Sequence, residues 1–179
     1  MSNIRSGFTL IEFLTVIVIL AVVAGMVSIA IQGDPNRLLE NSARKFIAEF
    51  NLVTEESALL GNEYGLQIND NAYRYLHWDQ IKWQTPQDPA MATLLYFPDE
   101  ITPELILDQN SVLYLETEDN QGIDFSENEK EIEPPQVLVL SSGEVTPFTL
   151  ILRTVYNDDY ISIDIDSLGR VKLTFHNEI

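Results

Sequence analysis

An uncharged segment of 19 residues, from Phe13 to Ile31, is the feature that most constrains this chain. As an α-helix it would be about 29 Å long, which is close to the thickness of a bilayer's hydrocarbon core. Glu12 comes directly before the segment, and the next charged residue is Asp34. The sequence therefore predicts a membrane-spanning helix near the N-terminus, with a carboxylate at its start.

Glu12 carries a charge at the edge of this apolar segment, and that charge needs a partner of opposite sign. A charged side chain near the centre of a membrane helix costs roughly 2.5–3.5 kcal/mol on insertion scales, and an ionisable residue in such a segment indicates a function. If the chain were cut after Gly7, Phe8 would carry a new α-ammonium group one helical turn from Glu12. The two charges could pair within one chain or between neighbouring chains. The alternative is an ordinary anchor whose Glu12 side chain reaches the lipid headgroups.

The leader before this helix is short and polar. It runs from Met1 to Gly7 and contains one charged residue, Arg5. A secretory signal has its cleavage site after the apolar region, whereas Gly7 precedes that region here. Cleavage at Gly7 would therefore leave the apolar helix on the mature protein. Arg5 before the helix and the acidic remainder after it predict a cytoplasmic N-terminus and an external C-terminal domain.

Gly7, Phe8 and Glu12, at these spacings, make the N-terminus resemble that of the type IV pilin and pseudopilin superfamily. The resemblance implies that a prepilin peptidase cuts between Gly7 and Phe8 and methylates the Phe8 amine. It also implies that Glu12 places the subunit in a helical filament by pairing with a neighbour's N-terminus. The expected domains are a leader over residues 1–7, a transmembrane and assembly helix over 8–32 and a periplasmic globular domain over 33–179.

Composition narrows the partners that this chain can have. The 179 residues carry a formal net charge of −18, and Arg5 and Glu12 cancel, so the acidity belongs to the part after the helix. An acidic surface repels nucleic acid, and no nucleic-acid partner is expected. The chain contains no cysteine, which excludes disulfides and thiol chemistry. It also has no Gly-rich phosphate loop, so nucleotide binding is not expected.

Helical periodicity continues beyond the apolar segment. Apolar residues recur at three- and four-residue steps at Leu39, Ala43, Phe46, Ile47, Phe50 and Val53. This spacing is typical of an amphipathic helix that packs one face on a sheet. Gly61 is suited to end it, and the whole N-terminal helix could extend from about Thr9 to Leu60. Gly33-Asp34-Pro35 either kinks this helix or begins a second one, with Asp34 as N-cap and Pro35 at the first position.

A period of two after Gly61 indicates β-strands. The runs Tyr64–Ile68 and Ala72–Leu76 flank turn residues at 69–71 and predict a hairpin. Further strands are predicted near residues 105–107, 112–116, 137–140, 148–153, 160–165 and 171–175, with turns at 157–159 and 167–170. The stretch from Glu116 to Pro135 contains eight acidic residues and predicts a mobile loop. The expected fold class is α+β, with a long N-terminal transmembrane and assembly helix packed on antiparallel β-sheet, as in type IV pilins.

The soluble half resembles the H-type minor pseudopilins of type II secretion systems. The resemblance is carried by segments 61–66, 73–76, 143–148 and 165–171, although their glycines and aromatic residues could equally serve turns and the core. It implies a structural subunit, without catalysis or cofactor, that joins the pseudopilus tip complex to the shaft of major pseudopilin. The implied partners are other minor pseudopilins, the major pseudopilin, the prepilin peptidase and the bacterial inner membrane.

A minor type IV pilin that primes pilus assembly is the alternative within the same superfamily. Some minor pilins bind DNA for uptake, and DNA binding needs basic surface patches. This chain has ten Lys and Arg residues in all, against 28 Asp and Glu. DNA uptake is therefore disfavoured, whereas filament priming needs no DNA contact and stays open.

An enzyme is the rival in another class. His77 and His176 are the two histidines of the chain. His77 falls on a predicted strand, which favours a structural or surface role, and His176 lies three residues from the C-terminus, where fraying is expected. Ser141-Ser142-Gly143 lacks the strand–turn–helix context of a nucleophile elbow. No His–Cys cluster indicates zinc, and no catalytic residue is predicted.

Calcium binding through carboxylates is the second rival. Asp158, Asp159, Asp164 and Asp166 lie close together in the sequence, and calcium prefers oxygen ligands of this kind. However, Asp164 and Asp166 alternate with isoleucines, which indicates the solvated face of a strand. The spacing also matches no EF-hand loop. No metal ligand is therefore predicted.

Overall fold

The computed structural model describes residues 10–31, 34–69, 71–89, 91–108 and 132–176, and in the first of these ranges the side chains up to residue 23. The chain divides into two compact units, of which the first ends at Asp34 and the second begins at Pro35. The first unit contains helix α1, Leu10–Ile31. Helix α2, Pro35–Leu60, opens the second unit.

The structure has two N-terminal helices instead of one continuous helix from Thr9 to Leu60. Pro35 is the first helical residue of α2, as the second interpretation of Gly33-Asp34-Pro35 predicts, because proline is well suited to the first position of a helix. At the other end, Gly61 adopts a φ of 70°. Its N–H donates to the Ser57 carbonyl at 3.0 Å, so Gly61 caps α2 as predicted.

The described residues of the second unit form nine strands. They are β1 (Tyr64–Ile68), β2 (Ala72–Trp78), β3 (Trp83–Gln84), β4 (Leu95–Tyr96), β5 (Ile101–Leu107), β6 (Val137–Val139), β7 (Phe148–Thr154), β8 (Tyr160–Ile165) and β9 (Val171–His176). Sheet A has the order β3-β2-β1-β6, with β4 also paired to β2, and sheet B has the order β5-β7-β8-β9. All strand pairs are antiparallel.

Helix α2 packs its apolar face against both sheets. It contacts β6 of sheet A and β7 and β8 of sheet B. Phe46 of α2 lies edge-on to Tyr73 of sheet A, with ring centroids 5.2 Å apart. Phe50 meets Phe148 of sheet B at 5.8 Å. Since burying one such aromatic side chain contributes about 1.5–3 kcal/mol, these rings hold the helix to the two sheets.

The fold class is confirmed, since an N-terminal helix packs on antiparallel sheet. The predicted hairpin of β1 and β2 and the strands near 137, 148, 160 and 171 are present, and residues 167–168 form the predicted turn between β8 and β9. The antiparallel strands are divided between two sheets, because β7, β8 and β9 form a continuous series with β5 and not with β1. The predicted strand at 112–116 and most of the predicted acidic loop lie outside the described residues.

Candidate functional site

Glu12 lies in the first turn of α1. Its side chain is exposed, and a carboxylate at this end of a helix is favoured by the helix dipole. Thr15, one turn further on, donates its hydroxyl to the Ile11 carbonyl at 2.7 Å. The only hydroxyl side chain between Glu12 and Val23 is therefore satisfied within the helix itself. Gly7 and Phe8, the other two predicted site residues, lie outside the described residues.

Helix α1 is apolar on all sides. Its large apolar side chains from Leu10 to Val23 are between 43% and 83% exposed. A helix that is hydrophobic all round is typical of a protein core or of a membrane span. The described residues contain no helix that is both long and apolar enough to cross a membrane.

Two tyrosine hydroxyls of sheet A bond to α2, and a third tyrosine lies buried on the same sheet. Tyr73 donates its hydroxyl to Glu49, and Tyr64 donates its hydroxyl to Glu56 at 3.0 Å. Burial raises the pKa of both phenols, and the neighbouring carboxylates raise it further. Tyr75 is buried too, and its hydroxyl has no hydrogen-bond partner among the residues that the structure describes. These contacts fix the position of α2 on sheet A.

A buried polar group holds residues 133–136 against the outer face of sheet A. Gln67 is fully buried, and its Nε2 donates to the Glu133 carbonyl at 2.7 Å. Arg74 Nε donates to Gln67 Oε1 at 2.6 Å. The Gln136 side chain bonds both the N–H and the carbonyl of Ile68, at 2.9 and 2.8 Å. The predicted mobile loop is therefore wrong at its last residues, because 133–135 are held on sheet A by these long-range contacts, which sequence periodicity did not indicate.

The two histidines lie apart, and each contacts an aromatic ring on a neighbouring strand. His77 pairs with Tyr64 across β1 and β2, with ring centroids 5.6 Å apart. His176 is the last residue of β9 and stacks on Tyr160, with centroids 4.3 Å apart. His176 is part of the strand ladder, since it pairs with Tyr160 of β8.

His176 also contacts a serine, and that contact was missed from the sequence. Its Nε2 lies 3.2 Å from Ser162 Oγ, because the two residues are close on adjacent strands. A nucleophilic serine needs a base that is itself oriented by a third group. Here the imidazole stacks flat on Tyr160, so ordinary cross-strand packing accounts for the contact. Ser141 instead donates its hydroxyl to Glu63 at 2.8 Å.

Three of the four aspartates considered for calcium make separate contacts. Asp164 accepts a hydrogen bond from Thr149 at 2.9 Å, and Asp159 accepts one from Asn157 at 2.6 Å. Asp166 pairs with Arg170 at 2.7 Å, and this hydrogen bond lowers the pKa of the Asp166 carboxyl. Within the described ranges, no three His, Cys, Asp or Glu side chains are grouped so as to hold a metal ion.

Comparison with known proteins covers both units of the chain. Residues 2–28 match the family model of the prokaryotic N-terminal methylation motif, a range that includes Gly7, Phe8 and Glu12. The chain is 31% identical over 175 residues to type II secretion system protein H of Aeromonas hydrophila, covering 94% of this chain and 93% of that protein. It is 30% identical over 149 residues to the Pseudomonas aeruginosa protein of the same name, covering 82% and 81%.

Two solved structures share the fold. The minor pseudopilin EpsH from the type II secretion system of Vibrio cholerae matches with a TM-score of 0.60 and 24% identity, covering 80% of this chain and 97% of that chain. The solution structure of E. coli GspH matches with a TM-score of 0.55 and 20% identity, covering 78% and 89%. Together with the identity to the curated relatives, these matches confirm the family predicted from the sequence: the chain belongs to the type II secretion system protein H family.

Proposed function

We propose that this protein is a structural subunit that joins the tip complex of other minor pseudopilins to the major-pseudopilin shaft of a type II secretion pseudopilus. The observation that carries the proposal is the 31% identity to a type II secretion system protein H over 94% of the chain. That match includes the N-terminal motif and the globular unit together. In this role the protein assists export across the outer membrane by assembly, and no catalytic residue or cofactor is assigned.

The N-terminus supplies the anchor and the processing site. We propose that a prepilin peptidase cuts between Gly7 and Phe8 and methylates the Phe8 amine, with the leader in the cytoplasm and the globular unit in the periplasm. Helix α1 then anchors the subunit in the inner membrane before assembly. Its apolar side chains on all sides suit lipid first and a bundle of helices afterwards.

Glu12 is the proposed assembly residue. Once α1 enters a bundle, the carboxylate loses its contact with water, and an unpaired buried charge is strongly unfavourable. The amine that pairs with this carboxylate is the N-terminus of a processed neighbouring subunit. Glu12 therefore favours one axial position of the incoming subunit, at which its carboxylate meets that amine.

The processing site is tested by Gly7→Ala. The methyl group should block cleavage, so mass spectrometry of the membrane protein should show the leader still attached and the Phe8 amine unmethylated. Gly25→Ala, the same change inside the apolar segment, is the control and should be processed normally. Cleaved protein in the Gly7→Ala variant would refute the assignment.

The assembly role is tested by Glu12→Ala. This variant should insert in the membrane and be processed, and it should lose most of its co-purification with the major pseudopilin. Glu12→Gln, which keeps the size and loses the charge, should behave in the same way. Secretion at the normal level with both variants would remove Glu12 from the mechanism.

The adaptor role is tested by capturing the full chain, in detergent, with minor and major pseudopilins of the same cell as separate baits. Both classes of pseudopilin should retain it, and double-stranded DNA offered in parallel should not. Retention by pilus subunits alone, or by DNA, would contradict the proposal and favour a minor type IV pilin.

A further inference from the structure

Strand β9 ends sheet B with one side that no described strand covers. The sheet has the order β5-β7-β8-β9, so β9 pairs with β8 alone. Its six residues, Val171–His176, pair one to one with β8 and contain no bulge. A strand that ends a sheet in this way presents a row of unpaired backbone N–H and C=O groups, to which another strand can add.

The hydrogen bonds at the turn before β9 show which of its residues point their backbone groups to the open side. The Asp166 N–H donates to the Arg170 carbonyl at 3.2 Å. Bonded and non-bonded pairs alternate along an antiparallel ladder, so the even-numbered residues of β9 bond to β8. The odd-numbered residues point their N–H and C=O groups to the open side: Val171, Leu173 and Phe175. We call the backbone groups of these three residues the free edge of β9.

The free edge of β9 has no hydrogen-bond partner in the part of the chain that the structure describes. Each of its residues offers one backbone donor and one backbone acceptor. A strand that runs alongside β9, at the usual spacing of about 4.8 Å, pairs with all of these groups at once. The geometry of the edge therefore selects an extended backbone as its partner.

The opposite edge of sheet B is blocked. On that side the even-numbered residues of β5 bond to β7, since the Val155 N–H donates to the Glu100 carbonyl at 3.0 Å in the same ladder. Pro103 therefore faces the open side of β5, where it has no N–H to donate. The Ile101 N–H on that side is already used, because it donates to the Pro98 carbonyl at 2.8 Å. Proline on an edge strand protects against strand addition, and β9 contains none.

The edges of sheet A are short or already paired. Strands β3 and β4 have two residues each. Strand β6 has three residues, and Val139 at its end also forms a bridge with Val145. Among the strands that the structure describes, β9 therefore has the longest edge that is neither paired nor blocked.

The side chains of β9 indicate which kind of strand fits. On the core side of sheet B, Phe175 is 49% exposed and continues the row of the half-buried Val171 and Leu173. On the other side, Lys172 is exposed and makes no ion pair with a described residue. An added strand places its own side chains beside both rows. The fitting strand alternates apolar with polar residues and has a carboxylate beside Lys172.

We propose that the free edge of β9 binds an extended segment of a neighbouring pseudopilin, which adds a strand to sheet B. This rests on the proposed function, since it needs another pseudopilin in the same filament. A second copy of β9 is the poorer occupant, because β9 contains no acidic residue to lie beside Lys172 and a net charge of −18 opposes self-association. In this kind of recognition, backbone bonds supply the affinity and alternate side chains supply the selectivity.

Amide hydrogen exchange tests the inference at single N–H groups. The full chain in detergent is measured alone and in complex with the pseudopilins that capture it, by mass spectrometry with fragmentation that resolves single residues. The amides of Val171, Leu173 and Phe175 should exchange at least about tenfold more slowly in the complex, because each gains a hydrogen bond. Leu105, whose N–H points to the open side of β5, is the matched control and should exchange at the same rate in both samples.

Proline at position 175 tests the same edge by mutation. Phe175→Pro removes one outward N–H and leaves the bonds to β8 in place, so the amount captured by pseudopilins should fall at least about fivefold, which is the loss of one hydrogen bond. Phe175→Thr keeps the N–H and loses the ring, so it should lose less than Phe175→Pro. If Phe175→Pro does not fold, the exchange rates of the unmodified chain decide the question.

The charge part of the inference is tested by Lys172→Glu. It should lower the captured amount about two- to fivefold, the range that one exposed ion pair supports. Lys82→Glu, an equal change at the exposed turn between β2 and β3, is the control and should leave the captured amount unchanged. Equal capture of both variants would contradict a carboxylate beside Lys172.

The outcomes separate this inference from the proposed function. If the complex forms and the amides of Val171, Leu173 and Phe175 exchange as fast as in the chain alone, the adaptor role stands and the strand site fails. If these amides become protected when the chain alone is concentrated, a second copy occupies the edge and the proposed partner is wrong. If no pseudopilin captures the chain, both proposals fail.

Discussion

At the scale of single residues, two tyrosines on the same strand differ in what their hydroxyls do. Tyr73 donates to Glu49, whereas the buried Tyr75 hydroxyl has no partner among the described residues. A buried hydroxyl without a hydrogen bond costs about 1–3 kcal/mol, and a satisfied one contributes about 1 kcal/mol. We therefore expect Tyr75→Phe to raise the free energy of unfolding by about 1 kcal/mol and Tyr73→Phe to lower it by a similar amount. Urea titration of both variants measures the difference, and a loss of stability in Tyr75→Phe would contradict the expectation.

Gly65 is required by a contact far away in the sequence. A Cβ at this position would lie 2.3 Å from Cγ of Pro135 and 3.1 Å from the Trp83 ring. Since one of these neighbours must shift to admit a methyl group, Gly65→Ala should lower the free energy of unfolding by roughly 1–3 kcal/mol, the usual range for overpacking. The test is a double-mutant cycle with Pro135→Gly, which removes the obstructing ring. The double variant should be more stable than the two single losses predict, and simple additivity would contradict this contact.

Gly65 also shows where residue-level prediction from the sequence stops. It belongs to a segment that resembles H-type pseudopilins, whose glycines could equally serve turns, and it falls within the predicted strand Tyr64–Ile68. Glycine is required at this position because Pro135 approaches it closely. Pro135 is 70 positions away in the chain, so no local sequence pattern indicates this contact. By contrast, Gly61 was predicted correctly as the cap of α2, because its cause lies in the helix that precedes it.

At the scale of elements, the contact between α2 and sheet A depends on protonated phenols. Burial raises the pKa of Tyr64, Tyr73 and Tyr75 above the ordinary value of about 10. In the unfolded chain these groups lose their protons first as the pH rises. The stability that they contribute is therefore complete below about pH 10 and is lost as the pH rises further.

We expect the free energy of unfolding to fall from about pH 10 upward, more steeply than for a protein whose tyrosines are exposed. Tyr73→Phe should make this fall shallower, because one of the shifted phenols is gone. Tyr156→Phe is the control, since Tyr156 is 62% exposed, and should leave the slope unchanged. If the free energy of unfolding falls equally steeply above about pH 10 in both variants, Tyr73 does not cause the fall.

Elements with strong periodicity were predicted from the sequence, and those without it were not. The 3.6-residue pattern located α2, and the alternation of apolar residues located β1, β2, β7, β8 and β9. The start of β5 was missed, because Pro103 in its middle lowers the expectation of a strand; β5 tolerates it as the edge strand of sheet B. β3 and β4 contain two residues each, which is too short for any period to show.

At the scale of the whole molecule, a candidate site could be proposed from the sequence where its residues are contiguous. Gly7, Phe8 and Glu12 fall within six residues, and it is their resemblance to the prepilin motif that implied processing and assembly, since the spacing by itself showed only that two charges could meet. The contacts that fix residues 133–136 on sheet A required the structure, since they join residues 66 and 68 positions apart in the chain. The division into two sheets likewise depends on long-range pairing, for which a single sequence contains no signal.

The globular unit should fold without the N-terminal one. The described residues of its hydrophobic core extend from Leu38 and Leu39 to Leu173, all within the second unit. A chain beginning at Asn36 should therefore unfold in one cooperative transition, with a free energy of about 5–15 kcal/mol. Urea titration followed by circular dichroism and by tryptophan fluorescence should give coincident curves. Because no metal holds this core in the proposed arrangement, a chelator should not shift the midpoint. A gradual transition would show that the core needs residues before Asn36 to fold cooperatively. A cooperative transition that is restored only by adding calcium would show that the core needs the metal ion.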